Sequence, residues 1–533
     1  MLTLIANDGI AWNQDGAARM TWGKSTVIGM AARVDIVILL ALAKVAIQFA
    51  TAGRYGIFSD ELYNLACARH LAAGYVDQPP LIALLVWASV HLFGSSLFGL
   101  RALPAVAGGL LVWVTAQIAR ELGGGKFAQG LAAFAIIPVP IYLMLNHWAT
   151  MNAFEPLLWM TVVWLAARMV RTQDLRLWAP IGLICGIGME NKYTMLLPIA
   201  GLAVSLLLTP QRKVLKSWWL VSGFALGALA FLPNLIWLIE NHFPFLEFEH
   251  NARGNAMQIM RAPLAFMADQ MMIMNPLLAP LWLGGLAWLM FAKAARPVQF
   301  LGWFFLTIFM ALLIMRAKNY YVAPAYPVLF AAGAVAFEAW SASRQWTRGA
   351  YAGSVLAAGL FLAPFVLPVL PVKDFIAYQH VFGDFRPVIF ERSAPGPLPL
   401  QFAAEFGWEQ MVAETAKVFH SLPAAEQKTT AIFANDYSEA GAIDLFGPKY
   451  GLPPAISNDV TYWLWGPRDY SGKTVIVLGS DGAGDRRHFR QVITAARAQT
   501  PFSRTDEQFD IFLCRDLNTD LRLLWPSLKK WGT

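Results

Sequence analysis

"SDELYNLACARHLAAGYVDQPPL", Ser59 to Leu81, sets charged residues where the flanking chain has almost none. One apolar segment precedes it and many follow. Asp60 and Glu61 open the stretch; Asp77, Gln78 and the pair Pro79-Pro80 close it. "DELYNLACARHL" has the composition of a helix with Ser59 as N-cap and acids in its first turn, where the helix dipole favours them. "PPLIALLVWASVHLF" reads as a second helix with proline at its start. It is too short to cross a bilayer comfortably, so both are expected to lie as juxtamembrane helices at the outer interface.

The rest of the chain explains the setting. Of 533 residues, 57% are hydrophobic and 14% charged, with 21 Trp and a mean hydropathy of +0.48. Soluble domains carry about 25% charged residues, so this is a polytopic helical membrane protein by composition. Its net charge of +7 suits the basic cytoplasmic loops that orient such proteins. No basic stretch interleaved with aromatics is present, which argues against nucleic acid as a partner. Cys67, Cys185 and Cys514 have no metal or redox spacing. Residues 1–32 are polar, lack a signal-peptide core and are expected to form a disordered cytoplasmic leader.

Apolar segments begin near Val34, Leu97, Phe127, Phe154, Leu177, Tyr193, Ser217, Ala262, Val298, Val322 and Tyr351. At roughly 20 residues per span this predicts about eleven transmembrane helices. The region 177–209 fits either one long hairpin or two short helices broken at "MENKYT". With the N-terminus in the cytoplasm, the cytoplasmic turns hold roughly twice the Lys and Arg of the outer turns. An odd number of spans then leaves residues 372–533 outside. There, strand-like "TTAIFAND", "KTVIVLGSD" and "FDIFLCRD" are interspersed with helical patterns such as "RRHFRQVITAARAQ", predicting a soluble α/β domain. The expected organisation is a leader (1–32), a transmembrane domain (33–371) and an outer α/β domain (372–533).

This topology gathers the polar residues on one side. Asp60, Glu61, Asp77 and Gln78 fall in the first outer loop; Asn146, His147 and Glu155 in the second; Glu190, Asn191, Lys192 and Tyr193 in the third. Glu240, His242, Glu247, Glu249, His250 and Arg253 fall in the fourth, and Arg316, Lys318, Asn319, Tyr320 and Tyr321 in the fifth. Ionisable groups near a bilayer are costly and mark function. Each also has a plainer use. Asp60 and Glu61 serve as helix-start acids, Asp77 as a turn residue, His147 as an interfacial anchor, and Lys192 and Arg316 as snorkelling cations. Lys44 lies in the middle of the first span, where an acid partner is expected but none can be named.

"FSDELYNLACARHLAAGYVDQPPL" resembles the first outer loop of the family-39 glycosyltransferases, which include the protein O-mannosyltransferases and the lipid A aminoarabinose transferases. "FEPLLW", "ENKYTMLLP", "NPLLAPLWLGGL" and "KNYYVAPAYPVLFAAG" resemble further segments of bacterial members, in the same order, over roughly residues 33–370. The resemblance implies a GT-C fold and a polyprenyl-phosphate sugar donor. It implies Asp60 as catalytic base, with Glu61 in support, Asp77 and Gln78 as the polar pair before the prolines, and Glu155 as the acid of the second outer loop. The aminoarabinose transferases have a donor-binding lysine where this chain has Gln78. That role passes to Lys192, Arg316 or Lys318, with His147, Tyr193, Asn319 and Tyr320 completing the candidate donor site.

The chemistry is coherent. An acceptor hydroxyl is a poor nucleophile and needs a carboxylate to take its proton. The departing lipid phosphate develops charge that a cation must stabilise. The expected reaction is an inverting transfer from a polyprenyl-phosphate sugar to a lipid, glycan or protein acceptor outside the cytoplasm, at a bacterial inner membrane. No cofactor is required; a divalent metal is compatible, for instance through Asp77 and His250. The rival expectation is a transporter or flippase of lipid-linked sugars, whose marks are inverted repeats and helices broken at the midplane.

Overall fold

A computed structural model describes residues 35–254, 262–383, 396–498, 500–504 and 510–532. The expected leader lies outside the described residues. Each apolar start named above falls within a few residues of a helix, from Ile36–Ala52 to Trp346–Leu362. Among the described residues four helices are long and apolar enough to cross a membrane: Leu97–Glu121, Met151–Thr172, Trp218–Glu240 and Asn319–Trp340. The others are shorter. The segment read as one span from Ala262 is two helices, Pro263–Ile273 and Pro276–Phe291, bent by 95°. The cause is local: Asn275 has φ +64° and Pro276 follows it, so the first helix cannot continue. The Asn275 amide donates to the Pro138 and Val355 carbonyls, at 3.1 and 3.2 Å, which holds the bend.

The region around "MENKYT" is two short helices, Trp178–Asn191 and Leu196–Leu207, joined through Lys192 and Tyr193. The first packs on Trp218–Glu240 through two glycine pairs. Gly182 and Gly186 on one helix face Gly223 and Gly227 on the other. A Cβ at Gly182 would stand 1.9 Å from the Gly223 carbonyl oxygen, and one at Gly186 2.3 Å from that of Gly227. This small-xxx-small spacing is legible in "GLICG" and "GFALG" and is how helices approach backbone to backbone in lipid. The opposite face of Trp218–Glu240 presents Trp218, Phe224 and Leu229 outward, as a lipid-facing helix does.

The chain from Leu400 onward carries a five-stranded mixed sheet in the order β2-β1-β3-β5-β4. Its strands are β1 (Thr430–Ala434), β2 (Ile456–Ser457), β3 (Thr474–Leu478), β4 (Phe489–Arg497) and β5 (Asp510–Leu517). β1 pairs parallel with β2 and β3, while β5 pairs antiparallel with β3 and β4. β4 corrects an expectation: "FRQVITAAR" was read as helical. Its Val492-Ile493-Thr494 run favours a strand, and the long pairing with β5 outweighs a helix pattern whose exposed arginines have no face to bury. The two sheet faces differ. Ala431, Phe433, Val475, Val477 and Phe512 pack with Leu521 and Trp525. Ile432, Ile476, Leu478, Ile511 and Leu513 instead share one buried cluster with Leu62, Tyr63, Ala66 and Ile82 of the first loop. The sheet region and the loop that carries Asp60 and Asp77 therefore share a hydrophobic core.

Candidate active site

The first-loop helix runs Ser59–Arg69, and its N-cap is Phe58, not Ser59. Glu61 makes the difference: its Oε2 accepts from the Phe58 backbone N–H at 3.0 Å, half of a capping box. Successive helix residues point about 100° apart, and this separates the acid pair. Glu61 faces inward and is fully buried; Asp60 is half-buried.

Glu61 belongs to a knot around Arg101, which is 1% exposed. The guanidinium has five N–H donors, and each finds an acceptor. Nε donates to Glu61 Oε1 (3.0 Å) and Nη2 to Glu61 Oε2 (2.7 Å) and the Gly56 carbonyl (2.9 Å). Nη1 donates to the Ala52 carbonyl (2.8 Å) and to His147 Nε2 (3.1 Å). His147 thus accepts through Nε2, and burial with the Arg101 charge holds its pKa well below the usual imidazole range. Glu405, from the sheet region, stands 3.6 Å from Arg101 and accepts from Trp148 Nε1 at 3.2 Å. Burial, with Glu61 adding to it against Arg101, pushes the Glu405 carboxyl up to about 8. Glu61 and His147, both expected at the site, are thus held together by Arg101 inside this buried knot. Gln78 is buried as well: 2% exposed, it donates to Asn64 Oδ1 at 2.8 Å, and Asn64 donates to the Ala149 carbonyl at 3.0 Å.

Asp60 and Asp77 keep a different company. Tyr437, at the start of the helix Tyr437–Phe446, donates from its hydroxyl to Asp60 Oδ1 at 3.0 Å. The Tyr63 hydroxyl lies 2.7 Å from both Asp77 Oδ1 and Thr461 Oγ1. Its one proton goes to the carboxylate, the stronger acceptor. Burial pushes Asp77 up to about 6. Asp459 accepts from the Tyr437 backbone N–H at 3.2 Å; burial first, then the charge of Asp436, push it up to about 7.

Lys192 centres a second cluster. Its Nζ donates to Asn152 Oδ1 (2.7 Å) and Glu155 Oε2 (3.3 Å), and it lies 4.5 and 5.9 Å from the ring centroids of Tyr321 and Tyr320. Thr194 donates to Glu155 Oε1. Tyr193 donates to Asn234 Oδ1 at 3.0 Å. Residues 147–155 join the two clusters. Ala149 N–H donates to Glu61 at one end (2.9 Å), Asn191 donates to the Met151 carbonyl (3.0 Å), and Asn152 and Glu155 hold Lys192 at the other.

The fifth-loop residues divide. Asn319 is buried and donates to Asp269 Oδ2 at 3.0 Å, while its carbonyl accepts from Gln270. Arg316 is exposed, with φ +49°, and Lys318 is half-buried. Among the described residues no three His, Cys, Asp or Glu side chains gather into a group that could hold a metal ion. Lys44 finds not an acid but the Tyr142 carbonyl, at 2.9 Å. Sequence reasoning passed over Arg101, Asn152, Thr194, Tyr437, Asp459 and Thr461.

Residues 77–237 match the family model of dolichyl-phosphate-mannose-protein mannosyltransferases. The chain is 28% identical over 202 residues to undecaprenyl phosphate-alpha-4-amino-4-deoxy-L-arabinose arabinosyl transferase 1 of Pseudomonas fluorescens, covering 36% of this chain and 34% of that protein. It is 25% identical over 232 residues to lipid A galacturonosyltransferase RgtD of Rhizobium johnstonii, covering 42% and 48%. The aligned stretch thus spans between a third and a half of these curated relatives. ArnT from Cupriavidus metallidurans bound to undecaprenyl phosphate superposes with a TM-score of 0.60 at 13% identity, over 91% of this chain and 98% of that one. Archaeal oligosaccharyltransferase AglB from Archaeoglobus fulgidus gives 0.51 at 12% identity, over 79% and 64%. The chain is a polytopic α-helical membrane protein with the GT-C fold, to which a small mixed sheet is joined near the C-terminus.

Proposed function

We propose that this protein is an integral-membrane glycosyltransferase of a bacterial inner membrane. It moves a sugar from a polyprenyl-phosphate donor to an acceptor hydroxyl outside the cytoplasm. The observation that carries the reading is an oriented, half-buried carboxylate, Asp60, held by Tyr437, next in sequence to Glu61, which binds the Ala149 N–H of the segment whose Asn152 and Glu155 hold an aromatic-flanked ammonium, Lys192. The acceptor oxygen attacks the anomeric carbon while its proton passes to Asp60. The bond from that carbon to the phosphate oxygen breaks, its electron pair leaving with the lipid phosphate. Lys192, steadied by Asn152 and Glu155, meets the charge that develops there. A single displacement inverts the anomeric configuration. The names of the relatives support a polyprenyl-phosphate donor, and the placement of the polar clusters supports Asp60 as base. Asp77, close to neutral pH in its ionisation, is suited to hold a sugar hydroxyl.

The 95° break near Asn275 is a feature that a transporter of lipid-linked sugars would share. Purified protein in lipid nanodiscs, given radiolabelled polyprenyl-phosphate sugars and membrane extract as acceptor source, separates the two readings. The wild type transfers label and Asp60→Asn, folded to the same extent, does not. Donor binding without transfer by either protein would favour the transporter; full transfer by Asp60→Asn would remove Asp60 from the mechanism.

A further inference from the structure

We infer that the sheet region is part of the catalytic machinery, through Tyr437 as the positioning residue of Asp60. The inference rests on the proposed role of Asp60 as base and assigns a task to the sheet region.

Three observations bear on it. First, the bond from the Tyr437 hydroxyl to Asp60 Oδ1 spans 377 positions of sequence. A half-exposed carboxylate needs no such partner to stay solvated; one that must present a single oxygen to an acceptor gains from having the other fixed. Second, Tyr437 is itself held. Its backbone N–H is tied to Asp459, its neighbour Asp436 caps the helix by accepting from Ser438 N–H at 2.7 Å, and its ring lies 5.0 Å from that of Tyr63. Third, the helix Tyr437–Phe446 cannot sit elsewhere without loss of packing. One turn beyond Tyr437, on the same face, Gly441 lets the Leu62 backbone approach so closely that a Cβ there would stand 2.9 Å from it. The same region supplies Thr461 to the Tyr63–Asp77 pair, and Thr461 Oγ1 accepts from Val76 N–H at 2.9 Å. Both first-loop aspartates are thus set through tyrosines that the sheet region orients.

Ionisable groups near this contact among the described residues include Glu61 on the helix of Asp60, Asp77 in the same loop, and Asp436 and Asp459 beside Tyr437. Lys530 acts on Asp459. Tyr437→Phe alters none of them. It removes a hydrogen bond to the ionised form of Asp60, which raises that carboxyl's pKa.

The test uses the full chain in nanodiscs and two readouts. The first is labelling of Asp60 by a carbodiimide, which reacts with the protonated carboxyl, followed against pH by peptide mass spectrometry. The second is sugar transfer from the donor found above. In Tyr437→Phe the labelling midpoint of Asp60 moves up by about one pH unit and kcat falls by about tenfold to a hundredfold, the range for one hydrogen bond to a charged group. The donor KM stays within about twofold. Tyr462→Phe, which removes a phenol–carboxylate bond to Asp444 within the same region, leaves both readouts at wild-type values. An unmoved midpoint in Tyr437→Phe overturns the inference. So does a fall in turnover that comes only with a lowered unfolding temperature. If Asp60→Asn is inactive while Tyr437→Phe is unimpaired, the base assignment stands and this inference fails. If Asp60→Asn is active, the base assignment fails and the inference fails with it.

Discussion

Replacing Arg101 by methionine should destabilise the protein strongly, and the reason can be counted. The guanidinium satisfies five acceptors with five N–H groups while 1% exposed. Methionine fills most of the volume but donates nothing. Glu61, with no solvent access, keeps the Phe58 and Ala149 N–H donors and loses its counter-charge. Removing one partner of a buried ion pair costs about 3–5 kcal/mol. Arg101→Lys should recover only part of this, because an ammonium has three donors and no planar fork. The double variant Arg101→Met, Glu61→Gln removes both charges and should be more stable than Arg101→Met alone. Unfolding by SDS in mixed micelles, followed by tryptophan fluorescence, measures all four proteins. Wild-type resistance in Arg101→Met would refute the reasoning. So would a double variant no more stable than that single one, since the cost would not then be an orphaned charge.

Glu405 sets a pH dependence. Its carboxyl lies near 8 in the folded protein against an ordinary 4.5, so the folded state binds the extra proton. Stability from this group is complete below about pH 4.5 and is lost as pH rises through 8, on the order of a few kcal/mol by pH 9. Glu405→Gln, which mimics the protonated form, should unfold at a higher temperature than wild type at pH 9 and at a similar one at pH 5; equal temperatures at both would exclude Glu405 as the source. Lys192→Met should lower kcat/KM for the donor by about 10–100-fold, the loss of one charge-assisted contact. An unchanged donor titration would move the phosphate site toward Arg316 or Lys318.

Much of this architecture can be read locally. Apolar runs locate the helices because lipid demands length and composition, and three of the five strands announce themselves as short β-branched runs. The acids of the first loop stand out because charge is scarce around them. What escapes is non-local. Asp60 and Glu61 are adjacent letters with opposite fates, decided by which helix face meets Arg101. Arg101 itself sits in "LFGLRALPAV", near the start of an apolar run, where nothing local names the acid it meets. Tyr437 gains its meaning only when a region hundreds of residues away docks on the first loop. β4 combines a strand-favouring Val492-Ile493-Thr494 run with helix-like flanks, and only its pairing with β5 decides between them. The paired glycines of "GLICG" and "GFALG" were legible, and their spacing was the signal overlooked.

Those glycines also limit how this protein can change over generations. Where two helices touch through carbonyls and Cα atoms, no side chain exists to be trimmed or repacked, and every enlargement is a collision. The contact between Trp178–Asn191 and Trp218–Glu240 therefore cannot drift gradually. Lys192 and Tyr193 at the end of the first helix, and Asn234 on the second, stay in register with one another. A side chain added at any of these four glycines would therefore displace Lys192 and Tyr193 relative to Asn234, which Tyr193 binds.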